Sequence, residues 1–213
     1  MGAKRVVPLS GVLAIVLMFA GFGVAGSTPS GNASVATIVS FYGKHSTAQT
    51  VSGVLLSLGA LLFLIFSTTF VARLRRAQSE PSGASALCLL GAVVLVVGLA
   101  IYAGLAIAIA DVAGNVDGSA LQALSVLAGG PAFVFLITIG TSAFLLGAAA
   151  AVLTTAVLPR WLGWLAIALA IVGAIPSHVL GGTLDHIGLV AFAGLGAWTL
   201  IVSVLLVARA DTA

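Results

Sequence analysis

The chain has 213 residues, of which 61% are apolar and only 6% charged, with a formal net charge of +3. A soluble domain needs roughly a quarter of its residues charged to cover its outside, so this balance excludes a water-soluble fold and makes lipid the solvent for most of the chain. Eight Lys and Arg against five acids, with no basic stripe, also speak against a nucleic-acid partner, although the sequence pI is near 9.6.

A helix rises about 1.5 Å per residue and must cross about 30 Å of hydrocarbon, so each span takes ~20 apolar residues. Six such runs fit the sequence. They show no in-out alternation, which excludes a β-barrel and leaves helices to pair every backbone N–H and C=O in lipid. The expected fold class is all-α: a polytopic transmembrane helix bundle of six spans, one domain over residues 1–213, with a short extracytoplasmic amphipathic helix.

The first span covers residues 6–25, behind Lys4 and Arg5. Its apolar run exceeds the ~7–15 residues of a signal-peptide core, so it reads as a retained helix. Residues 27–50 are the longest polar stretch and form an outer cap. After the turn signal Pro29-Ser30-Gly31-Asn32, Val35, Ile38, Val39 and Tyr42 recur at helical spacing. That pattern predicts a short amphipathic helix at the interface, capped by Ser30 or Asn32.

The second span, 51–71, ends in Arg73-Leu74-Arg75-Arg76, and Glu80, Pro81 and Gly83 break the chain after it. The third, 84–110, would reach about 40 Å and so tilts or protrudes. A loop with Asp111, Gly114, Asn115, Asp117 and Gly118 follows. Leu121–Leu127 is then too short to span before Gly129-Gly130-Pro131 and reads as interfacial or re-entrant. The remaining spans are 132–158, 161–177 and 187–207, the fifth barely long enough because Pro176 closes it.

This layout puts Lys4, Arg5, Arg73, Arg75, Arg76, Arg160 and Arg209 on one face and Lys44 on the other. The positive-inside rule makes the first face cytoplasmic, with both termini inside, in the inner or plasma membrane. Trp161 and Trp164 then fall at the inner interface and Phe41 with Tyr42 at the outer one, where amphipathic rings settle. Besides the bilayer itself, the expected partners are anionic headgroups near Arg73, Arg75 and Arg76, at ~1 kcal/mol per charge.

The same layout gathers His45, His178 and His186 with Asp111, Asp117 and Asp185 on the outer side. Imidazole and carboxylate are zinc ligands, and Asp185-His186 opens the last span just after His178 closes the one before. The candidate metal site is therefore His45, His178, His186 and Asp185. The same histidines would also serve a pH sensor. Against both stands the spacing, which contains neither His-x-x-x-His nor His-Glu-x-x-His, and the plain tendency of polar residues to collect in loops outside lipid.

No cofactor is implied: there is no Gly-x-Ser-x-Gly, no phosphate-binding loop and no dinucleotide fingerprint. The single cysteine, Cys88, excludes an internal disulfide. No ionisable residue falls near mid-bilayer, which disfavours proton-coupled transport. Thr138, Thr141 and Ser142 share a helical face that would line a polar path or glue helices together. Small residues, among them Gly53, Ser57, Gly91, Gly98, Gly140, Gly147, Gly194 and Gly196, allow close helix approach within the chain or in a homo-oligomer. The function expected is a non-enzymatic integral membrane protein for permeation, sensing or an accessory role. The alternative is a metal-dependent membrane enzyme or sensor built on the outer histidines.

Three segments, PSGNASVATIVSFY (29–42), FVARLR (70–75) and LPRWLGW (158–164), together resemble a broad group of uncharacterised bacterial polytopic membrane proteins, often from high-GC lineages, that carry a domain of unknown function. The resemblance covers nearly the whole chain. It implies the multi-span topology and transfers no activity.

Overall fold

The computed structural model describes residues 3–29, 33–78, 82–113, 115–128, 131–155, 157–175 and 187–210, without the side chains of 3–8, 131–134, 187, 188 and 210. Every regular element among them is helical: α1 (Ala3–Ala25), α2 (Val35–Ala77), α3 (Gly83–Val112), α4 (Gly118–Ala128), α5 (Pro131–Thr154), α6 (Arg160–Ala174) and α7 (Ile187–Ala210). Within the described residues, α2, α3, α5 and α7 are long and apolar enough to cross a membrane.

The expected short helix lies within α2, set off from the rest of that element by a kink at His45. Residues 35–50 are the first part of α2, a helix of 43 residues that would measure about 64 Å if straight. It is bent at His45, whose φ of −115° and ψ of 17° leave the helical region. The His45 Nδ1 lies 2.9 Å from the Phe41 carbonyl, which can only accept, so Nδ1–H donates into the ladder one turn back. A side chain inserted in this way is a known cause of a kink.

The helix start also differs from expectation. Ser34, rather than Ser30 or Asn32, is the N-cap, and its hydroxyl accepts from the Thr37 N–H at 3.3 Å. The apolar face that begins α2 packs on protein: Ile38 and Tyr42 bury themselves against Ile109 and Ala113 of the α3 end and Leu121 and Ala128 of α4. The Leu121–Leu127 segment lies inside α4.

Six helices close a ring in the order α1, α2, α3, α5, α6, α7 and back to α1. The ring is filled by Phe63, Phe66 and Phe70 of α2, Phe144 of α5 and Trp198 of α7, all with almost no exposure. Large apolar side chains line its outside as well, including Leu61, Leu90, Ile139, Val204 and Trp164. A water-soluble bundle would place charges there, whereas lipid accepts this surface.

Glycines set how closely the ring closes. A Cβ on Gly91 would collide with the Phe144 backbone nitrogen. On Gly140 it would lie 2.9 Å from the Gly91 carbonyl oxygen, and on Gly147 2.6 Å from that of Ala84. The α3 and α5 backbones therefore touch without side chains between them, so this smooth face is consumed inside one chain. Gly53 packs on Ala103 and Ile107 of α3, but Ser57 is exposed, so the Gly53-x-x-x-Ser57 pair does not share one contact.

The fourth and fifth expected spans end early. Helix α5 stops at Thr154, before the Pro159 turn, and α6 stops at Ala174, where Ile175 takes extended backbone. Pro176 and Ser177 lie outside the described residues.

Candidate functional site

One end of the ring collects the arginines. Arg73 of α2 donates to the Leu206 carbonyl of α7 at 3.4 Å, and Arg75 reaches Ser85 Oγ at the start of α3 at 3.3 Å. Arg209 of α7 donates to the Val157 carbonyl between α5 and α6. The first two bonds tie one helix to another and the third ties α7 to the α5–α6 connection, and the last turns of α2 and α7 carry cations beside their own carbonyl ends, the favourable side of the helix dipole. Arg76 and Arg160 are exposed at this end.

The 158–164 turn shows how the sequence achieves this locally. Pro159 caps α6, Leu162 and Gly163 turn inward, and Trp161 and Trp164 turn outward. A Cβ on Gly163 would press on Leu153, which explains the glycine between two large residues.

The opposite end carries Lys44, His45, Asp111 and Asp117, all exposed. His45 stacks on Phe41 with ring centroids 4.6 Å apart, in addition to its bond to the Phe41 carbonyl. Asp117 opens α4, with its carboxylate accepting from Ser119. Hydrogen bonds from the Ser119 hydroxyl first, then from the Ser119 and Gly118 backbone, hold this carboxyl below its ordinary value. Of the candidate metal ligands, His178, Asp185 and His186 lie outside the described residues. Among the described residues no three His, Cys, Asp or Glu side chains come together.

Gln49 was not anticipated as a structural residue. Buried between helices, it donates from Nε2 to the Ala25 carbonyl at 2.9 Å and closes the end of α1, where Gly26 takes a φ of +64°. The only signal in the sequence is an amide next to the start of an apolar run. Gln122 of α4 does the same for the Ala33 carbonyl at 3.1 Å, pinning α4 to the segment before α2.

Two groups of hydroxyls stand out within the helices. Ser67, Thr68, Thr69, Thr138, Thr154 and Thr155 bond back to carbonyls of their own helices. Thr141, Ser142, Thr199 and Ser203 are buried with no hydrogen-bond partner among the described residues. Ser142 Oγ lies beside Gly173 of α6, where an added Cβ would come within 2.9 Å of it, and Ser203 Oγ lies beside Gly11 of α1.

The aromatic centre is continuous. Phe66 and Phe70 stack at 5.8 Å, and Phe70 and Phe144 each meet Trp198 edge-on at 5.7 and 5.9 Å. Trp198 Nε1 donates to the Leu162 carbonyl of α6 at 3.0 Å, which satisfies its buried polar atom. Comparison of the chain with known protein families, with curated proteins and with solved structures finds no match.

Proposed function

We propose that the chain is a six-span protein of the inner or plasma membrane with both termini cytoplasmic, acting as a closed, non-conducting accessory component and not as an enzyme. The observation that carries this is the plug of Phe63, Phe66, Phe70, Phe144 and Trp198 across the middle of the ring. A conduction path between these helices would have to displace close-packed rings, and such an interior does not yield to small deformations.

Gathering the arginines at one end supports the orientation, since cationic side chains are kept on the cytoplasmic side. The resemblance of segments 29–42, 70–75 and 158–164, taken together, to bacterial multi-span proteins supports the multi-span topology. Helix α6, at about 22 Å, is shorter than the hydrocarbon layer, but α5 and α7 flank it in the ring, and local thinning of the bilayer accommodates such a mismatch. On this reading α4 and the first part of α2 form the extracytoplasmic cap.

The test is water access to the ring interior. A cysteine in place of Thr199 or Ser142, in membranes exposed to a small water-soluble thiol reagent, is expected to stay unlabelled. Native Cys88 is fully buried and gives the background. Labelling of Thr199→Cys at the rate of an exposed site such as Thr47→Cys would overturn the closed bundle in favour of permeation.

A further inference from the structure

Where the end of α5, the start of α6 and the end of α7 meet, a cavity of about 580 Å³ opens to the outside. Its size falls in the range of small-molecule sites, roughly 300–1,000 Å³. Leu153, Leu158 and Pro159 form its apolar walls, and Thr154, Thr155, Arg160 and Arg209 supply the polar groups. The threonine hydroxyl protons go to the Ala150 and Ala151 carbonyls, so the donors facing a ligand are the guanidinium groups. Both described cationic groups in the lining are arginines, and none of its described residues is acidic.

The side chains are held in different ways. Arg209 is fixed beside the cavity by its bond to the Val157 carbonyl. Arg160 is exposed and is the first residue of α6, whose Pro159 N-cap brings no side-chain acceptor. The positive end of that helix adds to the same field. Trp161 and Trp164, both turned outward, suit the depth of lipid headgroups.

We propose that this cavity binds a phosphate group. The exposed Arg160 fork, with the Arg209 guanidinium beside it already bonded to Val157, matches the tetrahedral oxygens of a phosphate mono- or diester better than a point charge would. The group is offered by an anionic lipid headgroup of the inner leaflet or by free phosphate. The lipid source rests on the orientation proposed above, while the site itself rests on the cavity and its arginines.

The full chain, purified in a zwitterionic detergent, tests this by thermal unfolding with two probes. One is phosphatidylglycerol against phosphatidylcholine; the other is inorganic phosphate against chloride at equal ionic strength. A ligand at ten times its Kd should raise the midpoint by on the order of 3–6 °C. A shift with phosphatidylglycerol alone assigns the site to a lipid, and a shift with inorganic phosphate as well assigns it to the phosphate group from either source.

Arg160→Gln is expected to weaken binding about tenfold and cut the shift to about a third at that ligand concentration, whereas Arg76→Gln, an exposed arginine at the same end but away from the cavity, keeps it. No shift in the native chain with either probe overturns the proposal. So does a loss in Arg76→Gln equal to that in Arg160→Gln, which would mean diffuse surface charge. Labelling of Thr199→Cys reads the closed bundle separately, so the two ideas fail independently.

Discussion

The Trp198 indole of α7 donates to the Leu162 carbonyl of α6 while its ring lies edge-on to both Phe70 of α2 and Phe144 of α5, so one side chain joins four helices. Trp198→Ala should therefore cost about 3–5 kcal/mol, the range for deleting a large buried aromatic. Trp198→Phe should cost clearly less, because it keeps the ring contacts and loses the hydrogen bond. Denaturant unfolding in mild detergent measures both, and a near-neutral Trp198→Ala would contradict the plugged ring.

The α3–α5 contact depends on missing side chains. Gly140→Ala and Gly147→Ala each force a methyl group into opposing backbone and should lose about 1–3 kcal/mol, as overpacked cores do. Gly104→Ala, on the facing helix α3 but with open space around its added Cβ, should lose nothing. Equal losses at all three positions would point to a general effect of glycine replacement.

The helices of the ring were largely legible in the sequence because lipid imposes one length and one polarity on anything that crosses it. The Pro159-Arg160-Trp161 turn and the glycine-rich faces could be read for the same reason. What escaped was tertiary. The cap helix and the second span read as two separate segments, whereas in the fold both belong to α2 and meet at the kink where His45 bonds to Phe41, with Ile38 and Tyr42 packed on α4. Ser34 capped α2 in place of two equally suitable neighbours, a choice that local propensity does not decide. Of the candidate metal site, only His45 falls among the described residues, and its ring is engaged with Phe41.

Gln49 closes the end of α1 from another helix. Gln49→Ala leaves the buried Ala25 carbonyl without that donor and should cost about 1–3 kcal/mol. Gln49→Leu, similar in size, should not recover the loss. Thermal unfolding of the two variants decides the matter, and full recovery by leucine would mean that packing alone is responsible.

Asp117 gives a pH dependence with a definite sign. Its carboxyl titrates below the ordinary value of 3.8, chiefly because Ser119 bonds to the ionised form. The start of α4 is thus stabilised fully above that value, and the contribution is lost as pH falls through the lowered folded-state value. Midpoints measured between neutral and strongly acidic pH should fall more steeply for the native chain than for Asp117→Asn, which keeps a capping oxygen without the titration. Parallel curves would remove Asp117 from the account.

The central claim is that the ring spans the membrane with its arginine end inside. Single cysteines at Thr47, Asn115, Ala77 and Thr154, all exposed, test it most directly in intact cells with a membrane-impermeant thiol reagent. The account predicts labelling of Thr47→Cys and Asn115→Cys from outside, and of Ala77→Cys and Thr154→Cys only after the membrane is permeabilised. Labelling of all four from one side, or the reverse pattern, would contradict it.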